Sequence, residues 1–439
     1  MARRTGGRNN MGVYRGLYGG DARGLYSSNG RRGMMIYGKP PRRWPKLVLA
    51  IVILLIIIAC IWQFACGGLP FLKAAEQQDQ QQAEQQAQAE ADAQQQAQAQ
   101  QAAQEAENGT YQPGLNTQIQ ISAVGDCTLG TDADFDESTN FTSVYENNNA
   151  SYFFKNVTKF TENDQLTLAN LEGPLTSSTD IQEKSFNFKG PKKYADILVK
   201  GSVEAVNLAN NHSYDYGTQG YEDTKANLAD YEIVNFGYDR TAVTEINGIK
   251  VGLFGVSQLS ASDPEQLTID NIEALKKEGC ALIVGMFHWG IESEYEPTDE
   301  QVSLAHAAID NGCDLVIGGH PHVLQGVEYY KDRYICYSMG NFVFGGNSNP
   351  KDKNTMIFQQ TFTFKDGQLA VDDTTRKAAD IIPCSLSSSS SRNNYQPKPL
   401  TGSAATKLIK KINGYSDKLE GDGVEFYTEL NDYDCAQVK

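Results

Sequence analysis

Ala281-Leu282-Ile283-Val284-Gly285-Met286-Phe287-His288-Trp289-Gly290 is the stretch on which the fold turns. A short apolar run that ends at a histidine and a glycine reads as a buried strand giving way to a loop. Downstream, Asp299 to Asn311 sets Val302, Ala305 and Ile309 on one face and stops at Gly312, which predicts a helix. Another apolar run, Leu315 to Ile317, then leads into Gly319-His320-Pro321-His322. Strand, helix, strand in this order implies an α/β layered domain. On either side, the runs Ile119 to Val124, Leu166 to Ala169, Val203 to Leu208, Ile249 to Val256 and Tyr334 to Tyr337 read as further strands. Met356 to Phe364, Asp366-Gly367 and Leu369 to Val371 read as a hairpin with a tight turn. Beyond it come a flexible serine run, Ser385 to Ser391, one amphipathic helix around Ala404 to Ile412, and an acidic tail.

Four of the five histidines fall in three motifs where an expected strand becomes a loop: Asn210-Asn211-His212, His288-Trp289-Gly290 and His320-Pro321-His322. Two more strand ends carry carboxylates, Asp126 after Val124-Gly125 and Glu172 after Asn170-Leu171. Ligand sites of open α/β sheets form at the carboxyl ends of strands. Asp, Glu, Asn and His converging there supply the mixed nitrogen and oxygen donors that Mn, Fe or Zn accept, enough for two ions sharing a carboxylate. His306, in mid-helix, is expected at a surface or interface. Trp289 and Glu292 are candidates for the wall of a substrate cleft, with packing the alternative for Trp289. Asn341 either touches substrate or holds a turn.

The N-terminal part is of another kind. Residues 1–46 hold eleven Lys/Arg and one acid, Asp21, so this arm carries +10, the whole chain −16 and the remainder −26. The acidic remainder is ill suited to coating nucleic acid, which needs clustered Lys/Arg. Residues 47–66 contain no charge, and twenty residues rising ~1.5 Å each cross ~30 Å of hydrocarbon. Arg42, Arg43 and Lys46 on one flank predict a signal anchor: a single pass through the cell membrane, the N-terminus cytoplasmic, everything after residue 66 outside. Arg15-Gly16-Leu17-Tyr18 and Arg23-Gly24-Leu25-Tyr26 lie in an arm too poor in apolar residues for a core. From Ala74 to Glu107 every residue is Gln, Ala or Asp/Glu, which reads as a solvated, helix-prone spacer. The expected domains are thus the arm (1–46), the span (47–66), the spacer (67–116), an α/β domain (117–385) and a linker with tail (386–439).

Eight cysteines divide into Cys60 and Cys66 at the span and six beyond it. Six allow fifteen disulfide connectivities; Cys280 and Cys313, each at the start of an expected parallel strand, are one pair that such strands can bring together, and free buried thiols are an equally good reading.

Gly125-Asp126, Asn170-Leu171-Glu172-Gly173-Pro174-Leu175, Asn210-Asn211-His212 with Asp215-Tyr216-Gly217, His288-Trp289-Gly290 with Glu292, Gly319-His320-Pro321-His322 and Ser338-Met339-Gly340-Asn341-Phe342 resemble, in order and spacing, the CapA family of capsule-biosynthesis proteins. That family is similar to calcineurin-like metallophosphoesterases. The resemblance covers about residues 117 to 385 and implies a four-layer α/β/β/α sandwich. It also implies a role in synthesis, export or release of bacterial poly-γ-glutamate, within a membrane complex and acting on an anionic polymer or a phosphoester. The alternatives are action on another cell-surface phosphoester, or a non-catalytic scaffold. By resemblance, Glu172 bridges two ions, Asp126 and His322 bind one, and Asn211, His288 and His320 bind the other. His212 is implied to protonate the leaving group, with Asp215 orienting it. The phosphoesterases place a histidine ligand two positions after the aspartate; here that position is Thr128.

Overall fold

The computed structural model describes residues 45–66, 112 and 114–439 except 373. The basic arm with its two Arg-Gly-Leu-Tyr segments, and nearly all of the Gln/Ala-rich spacer, lie outside the described residues. The chain divides into two units, Met1–Ala89 and Glu90–Lys439. In the first, helix α1 runs Pro45–Cys66, and its side chains from Ile51 to Trp62 are exposed. Among the described residues no helix is long and apolar enough to cross a membrane; the side chains of α1 are described only from 50 to 62.

In the second unit the strands form two sheets. The first holds β1 (Thr117–Thr128), β2 (Leu166–Leu171), β3 (Ala205–Asn207) and β4 (Val234–Phe236) in parallel. The second holds β5 (Ala242–Ile246), β6 (Ile249–Ser257), β7 (Leu282–His288), β8 (Leu315–Gly319), β9 (Val327–Tyr330) and β10 (Arg333–Cys336), ordered β5-β6-β7-β8-β10-β9. The first sheet is extended by β11 (Asn341–Phe344), parallel on β1, and antiparallel β12 (Asn354–Lys365) and β14 (Ala379–Ser385). Short strands β13 (Gln368–Leu369), β15 (Lys398–Pro399) and β16 (Ala436–Gln437) complete it.

Three apolar clusters alternate with the sheets. Between them, Ile119, Ile121 and Leu168 of the first sheet meet Leu253, Val284, Met286 and Ile317 of the second. On the outer face of the first sheet, Ala169 and Leu171 pack with Phe153, Leu198 and Leu228. These last come from the short helices α2 (Phe141–Asn147) to α5 (Ala195–Lys200) and from α6 (Gly217–Ala229), with α3 (Ser151–Phe154) and α4 (Thr158–Thr161) between. On the outer face of the second sheet, Ile283, Phe287 and Val316 pack with α7 (Pro264–Lys277) and α8 (Asp299–Asp310). Thr298 and Gln301 close α8 with a reciprocal capping box, and Gly312, at φ 101°, turns the chain out of it. Each predicted strand, the α8 helix, both arms of the hairpin and the helix near 404 overlap an observed element, though β3 is shorter than Val203 to Leu208 and β13 ends at Leu369.

Residues 386–439 are not the expected linker and tail. Helix α9 (Gly402–Ser416) buries Leu408, Ile409 and Ile412 in the cluster between the sheets, and β16 pairs with β14. The serine run is likewise tied down: Ser387 is buried and its hydroxyl bonds the Arg392 carbonyl and Asn394. The described cysteines are free, and Cys127, Cys280, Cys313, Cys336, Cys384 and Cys435 are buried.

Candidate metal centre and cleft

Alternation along the strands explains why the polar groups meet. On β7, Leu282, Val284 and Met286 face the other sheet, so His288 does too; on β2, Leu166 and Leu168 put Asn170 on the same side. Register aligns them: Asn341, Asp126, Asn170 and Asn207 form a row across β11-β1-β2-β3, and Ser257, His288 and Gly319 form one across β6-β7-β8. The site therefore caps the apolar layer between the sheets.

Asp126 is fully buried; Oδ1 accepts from Asn170 Nδ2 at 2.8 Å and Oδ2 from the His320 backbone N–H at 3.0 Å. His322 Nδ1 lies 3.4 Å from Asp126 Oδ2, and His322 Nε2 3.8 Å from Glu172 Oε1. Glu172 Oε1 is 3.6 Å from His288 Nε2, which is 2.7 Å from Asn211 Oδ1. The His288 and His320 rings are 4.8 Å apart. All six expected ligands thus belong to one cluster, and three of them, Glu172, His320 and His322, bring donor atoms within 4.8 Å of one another. Both His320 and His322 sit at positive φ, 91° and 58°, a strain that clusters at functional sites. Gly319 is required beside them, since a Cβ there would lie 2.4 Å from Asp126 Oδ1.

Burial opposes ionisation of Asp126, but His322 and His288 outweigh it and hold the carboxyl at about 2. Burial pushes Glu172 up to about 7 and His320 down to about 4. His288 is driven well below the usual imidazole range by burial. At His322 burial favours the neutral ring, yet the Glu172 and Asp126 carboxylates prevail and raise it to about 9. Two buried atoms in the cluster, Glu172 Oε1 and His320 Nδ1, have no hydrogen-bond partner. Unpartnered lone pairs beside neutral imidazoles fit a divalent cation with nitrogen and oxygen donors.

His212 stands at the mouth. Its Nδ1 pairs with Asp215 Oδ2 at 2.7 Å, and Asp215, fully buried, also accepts from the Phe188 N–H and from Lys184 Nζ, at 2.7 and 2.6 Å. Lys184 also donates to the Asn211 carbonyl at 2.7 Å. His212, Glu292, His322 and Asn341 line one open cavity of about 550 Å³.

Trp289 does not line this cleft. It follows His288 by one residue and points to the opposite face, where it stacks on Phe287 at 4.7 Å and its Nε1 donates to the Tyr337 carbonyl. Asn341 orients the His322 ring: its Oδ1 lies 2.8 Å from His322 Nδ1. Thr128 takes the position of the absent histidine, its hydroxyl 3.5 Å from Glu172 Oε2. Cys127, between them, lies in the outer core with its thiol pushed up to about 12 by burial. His306 bonds the buried Glu328 at 3.0 Å and stacks on Tyr330, away from the cluster. Sequence reasoning passed over Asn170, which ties Asp126 to His288, and Lys184. Asn170 carried a signal, since it sits two residues before Glu172 on the same strand face.

Residues 120–346, slightly more than half of the chain, match the family described as bacterial capsule synthesis protein PGA_cap. The chain is 30% identical over 250 residues to the PGA biosynthesis protein CapA of Bacillus subtilis, a match covering 52% of this chain and 63% of that protein. To the capsule biosynthesis protein CapA of Bacillus anthracis it is 28% identical over 314 residues, covering 65% and 70%. It therefore spans less than two thirds of the Bacillus subtilis relative. Among solved structures, the 5'-nucleotidase of Candida albicans aligns over 68% of this chain and 58% of its own with a TM-score of 0.37 at 11% identity, too loose a likeness to carry an argument. Since the family's matched span holds every strand end from Asp126 to Asn341, this chain belongs to the bacterial capsule synthesis family PGA_cap, the CapA proteins.

Proposed function

We propose that this chain is a membrane-anchored, extracytoplasmic hydrolase of poly-γ-glutamate capsule synthesis, export or release that cleaves a phosphoester with a divalent transition metal, Mn, Fe or Zn. The observation that carries the reading is the pair of buried, unpartnered donors Glu172 Oε1 and His320 Nδ1 beside His322. Asp126 adjoins His322, and Asn211 adjoins His288, so that Asp126 with His322 and Asn211 with His288 and His320 are the candidates for two ions sharing Glu172. The alternation of helices and sheets supports a four-layer, metallophosphatase-type sandwich. The names of the Bacillus relatives support the pathway. A bound ion supplies charge stabilisation to a phosphoryl group and activates water. His212 would pass a proton from Nε2 to the leaving oxygen as its bond to phosphorus breaks and the water oxygen bonds in its place. Asp215 holds Nδ1 and steadies the imidazolium before transfer.

Anchoring rests on the +10 arm, the charge-free run of residues 47–66 and the helix through them. Protease added to intact cells should remove the domain and spare the arm; a protected domain in wall-permeable cells would reverse the topology. For the chemistry, the test is metal analysis of the purified full chain with assays on a phosphoester panel and on γ-linked polyglutamate. Stoichiometric metal with phosphoester turnover supports the reading. Thr128 in place of a ligand favours a second one, a scaffold retaining the fold, and a metal-loaded chain inert on every substrate would establish it.

A further inference from the structure

Aromatic rings step from solvent down to His212. Phe186 is 52% exposed and lines the cavity. Its ring lies 6.2 Å from that of Phe188 at an interplanar angle of 10°, and Phe188 is buried against His212 with centroids 4.6 Å apart. Phe344 packs on His322 at 5.0 Å, and Gly346 keeps the two walls close, since a Cβ there would lie 2.7 Å from Phe344 and 3.1 Å from Phe188. The charged side chains of the cavity wall besides the histidines are Glu292, Lys351 and Asp352, two acids to one base. A polyanion finds little there to neutralise it. A flat or ring-shaped group finds the exposed half of Phe186, whose ring is otherwise held by Phe188 and Phe135, and aromatic contact there is favourable.

We infer that this cleft selects a phosphoester whose leaving group carries a ring, a sugar or a nucleoside, laid against Phe186 and Phe188, and that the γ-glutamyl chain itself is not the group bound beside His212. The inference rests on the proposed hydrolase reading, because His212 marks the leaving-group side only if it donates the proton. Phe188 is held by its own N–H to Asp215, so the aromatic step and the acid are fixed to each other.

Equilibrium binding tests it without depending on turnover. The metal-loaded full chain in detergent is titrated with uridine 5'-monophosphate, glucose 1-phosphate, glycerol 1-phosphate and a γ-linked glutamate pentamer. The ring-bearing probes should bind at least about tenfold tighter than glycerol 1-phosphate or the pentamer. Phe186→Ala should bring that ratio toward one, whereas Phe186→Tyr should keep it. Equal affinity for the ring-bearing and linear probes, tightest binding of the pentamer, or a ratio unmoved by Phe186→Ala would overturn the inference. Ring-selective binding with no hydrolysis of any ester would retain the subsite and remove the hydrolase reading instead.

Discussion

Asn341 Oδ1 sits 2.8 Å from His322 Nδ1, and this contact turns the other ring nitrogen, Nε2, toward Glu172. Groups that orient a ligating imidazole set its affinity almost as much as the imidazole does. Asn341→Leu should therefore weaken metal binding by about 10- to 100-fold. Competition against a chelator of known affinity measures it, and an unchanged constant would return Asn341 to the role of a substrate contact.

Metal binding should depend steeply on pH. Glu172 holds its proton up to about 7 and His322 up to about 9, so a cation must displace both below neutrality. Affinity should rise with pH from 6 to 9, by about tenfold per unit for each proton displaced, and flatten above the higher value. A flat titration of apparent affinity across that range would mean that neither group is a ligand.

Replacing Trp289 separates packing from the cleft. Trp289→Ala empties a fully buried site and should cost about 3–5 kcal/mol of unfolding free energy. Trp289→Phe keeps most of the volume but leaves the Tyr337 carbonyl without its donor, a loss of about 1 kcal/mol. Denaturant melts give both, and ligand affinity of the folded Phe variant should match the parent.

Gly319→Ala should disturb the centre from behind. The added methyl would press on Asp126 Oδ1, and relieving that overlap moves either the carboxylate or the His320 N–H that bonds it. Strain of about 1–3 kcal/mol and loss of bound metal should appear together. A variant as stable and as metal-rich as the parent would show that the loop yields freely.

Most of the site could be read from strand ends because the chemistry of Asp126, Glu172, His288, His320 and His322 is carried by residue types that rarely finish a strand by chance. Trp289 was legible too, by the rule that neighbours on a strand face opposite ways: with His288 in the cleft, the next residue belongs to the other side. Asn341 was ambiguous because an amide after a glycine serves turns and ligands equally well. The fold beyond residue 385 was obscured for a different reason. Strands β15 and β16 are two residues long, too short to show any period, and they exist only because β14 offers an edge. The disulfide question has a structural answer: Cys280 and Cys313 both lie in the outer core of the second sheet as free thiols.

The two walls of the centre belong to different sheets, Asp126 and Glu172 to one, His288 and His320 to the other, and what separates the sheets is the apolar layer beneath. Leu168 and Met286 in that layer work like the blocks of a caliper: their bulk sets the gap at the rim two residues on. Substitution at such remote, greasy positions would therefore retune the spacing of the donor atoms, and with it the size of ion the centre accepts, while every polar side chain of the cluster stays the same.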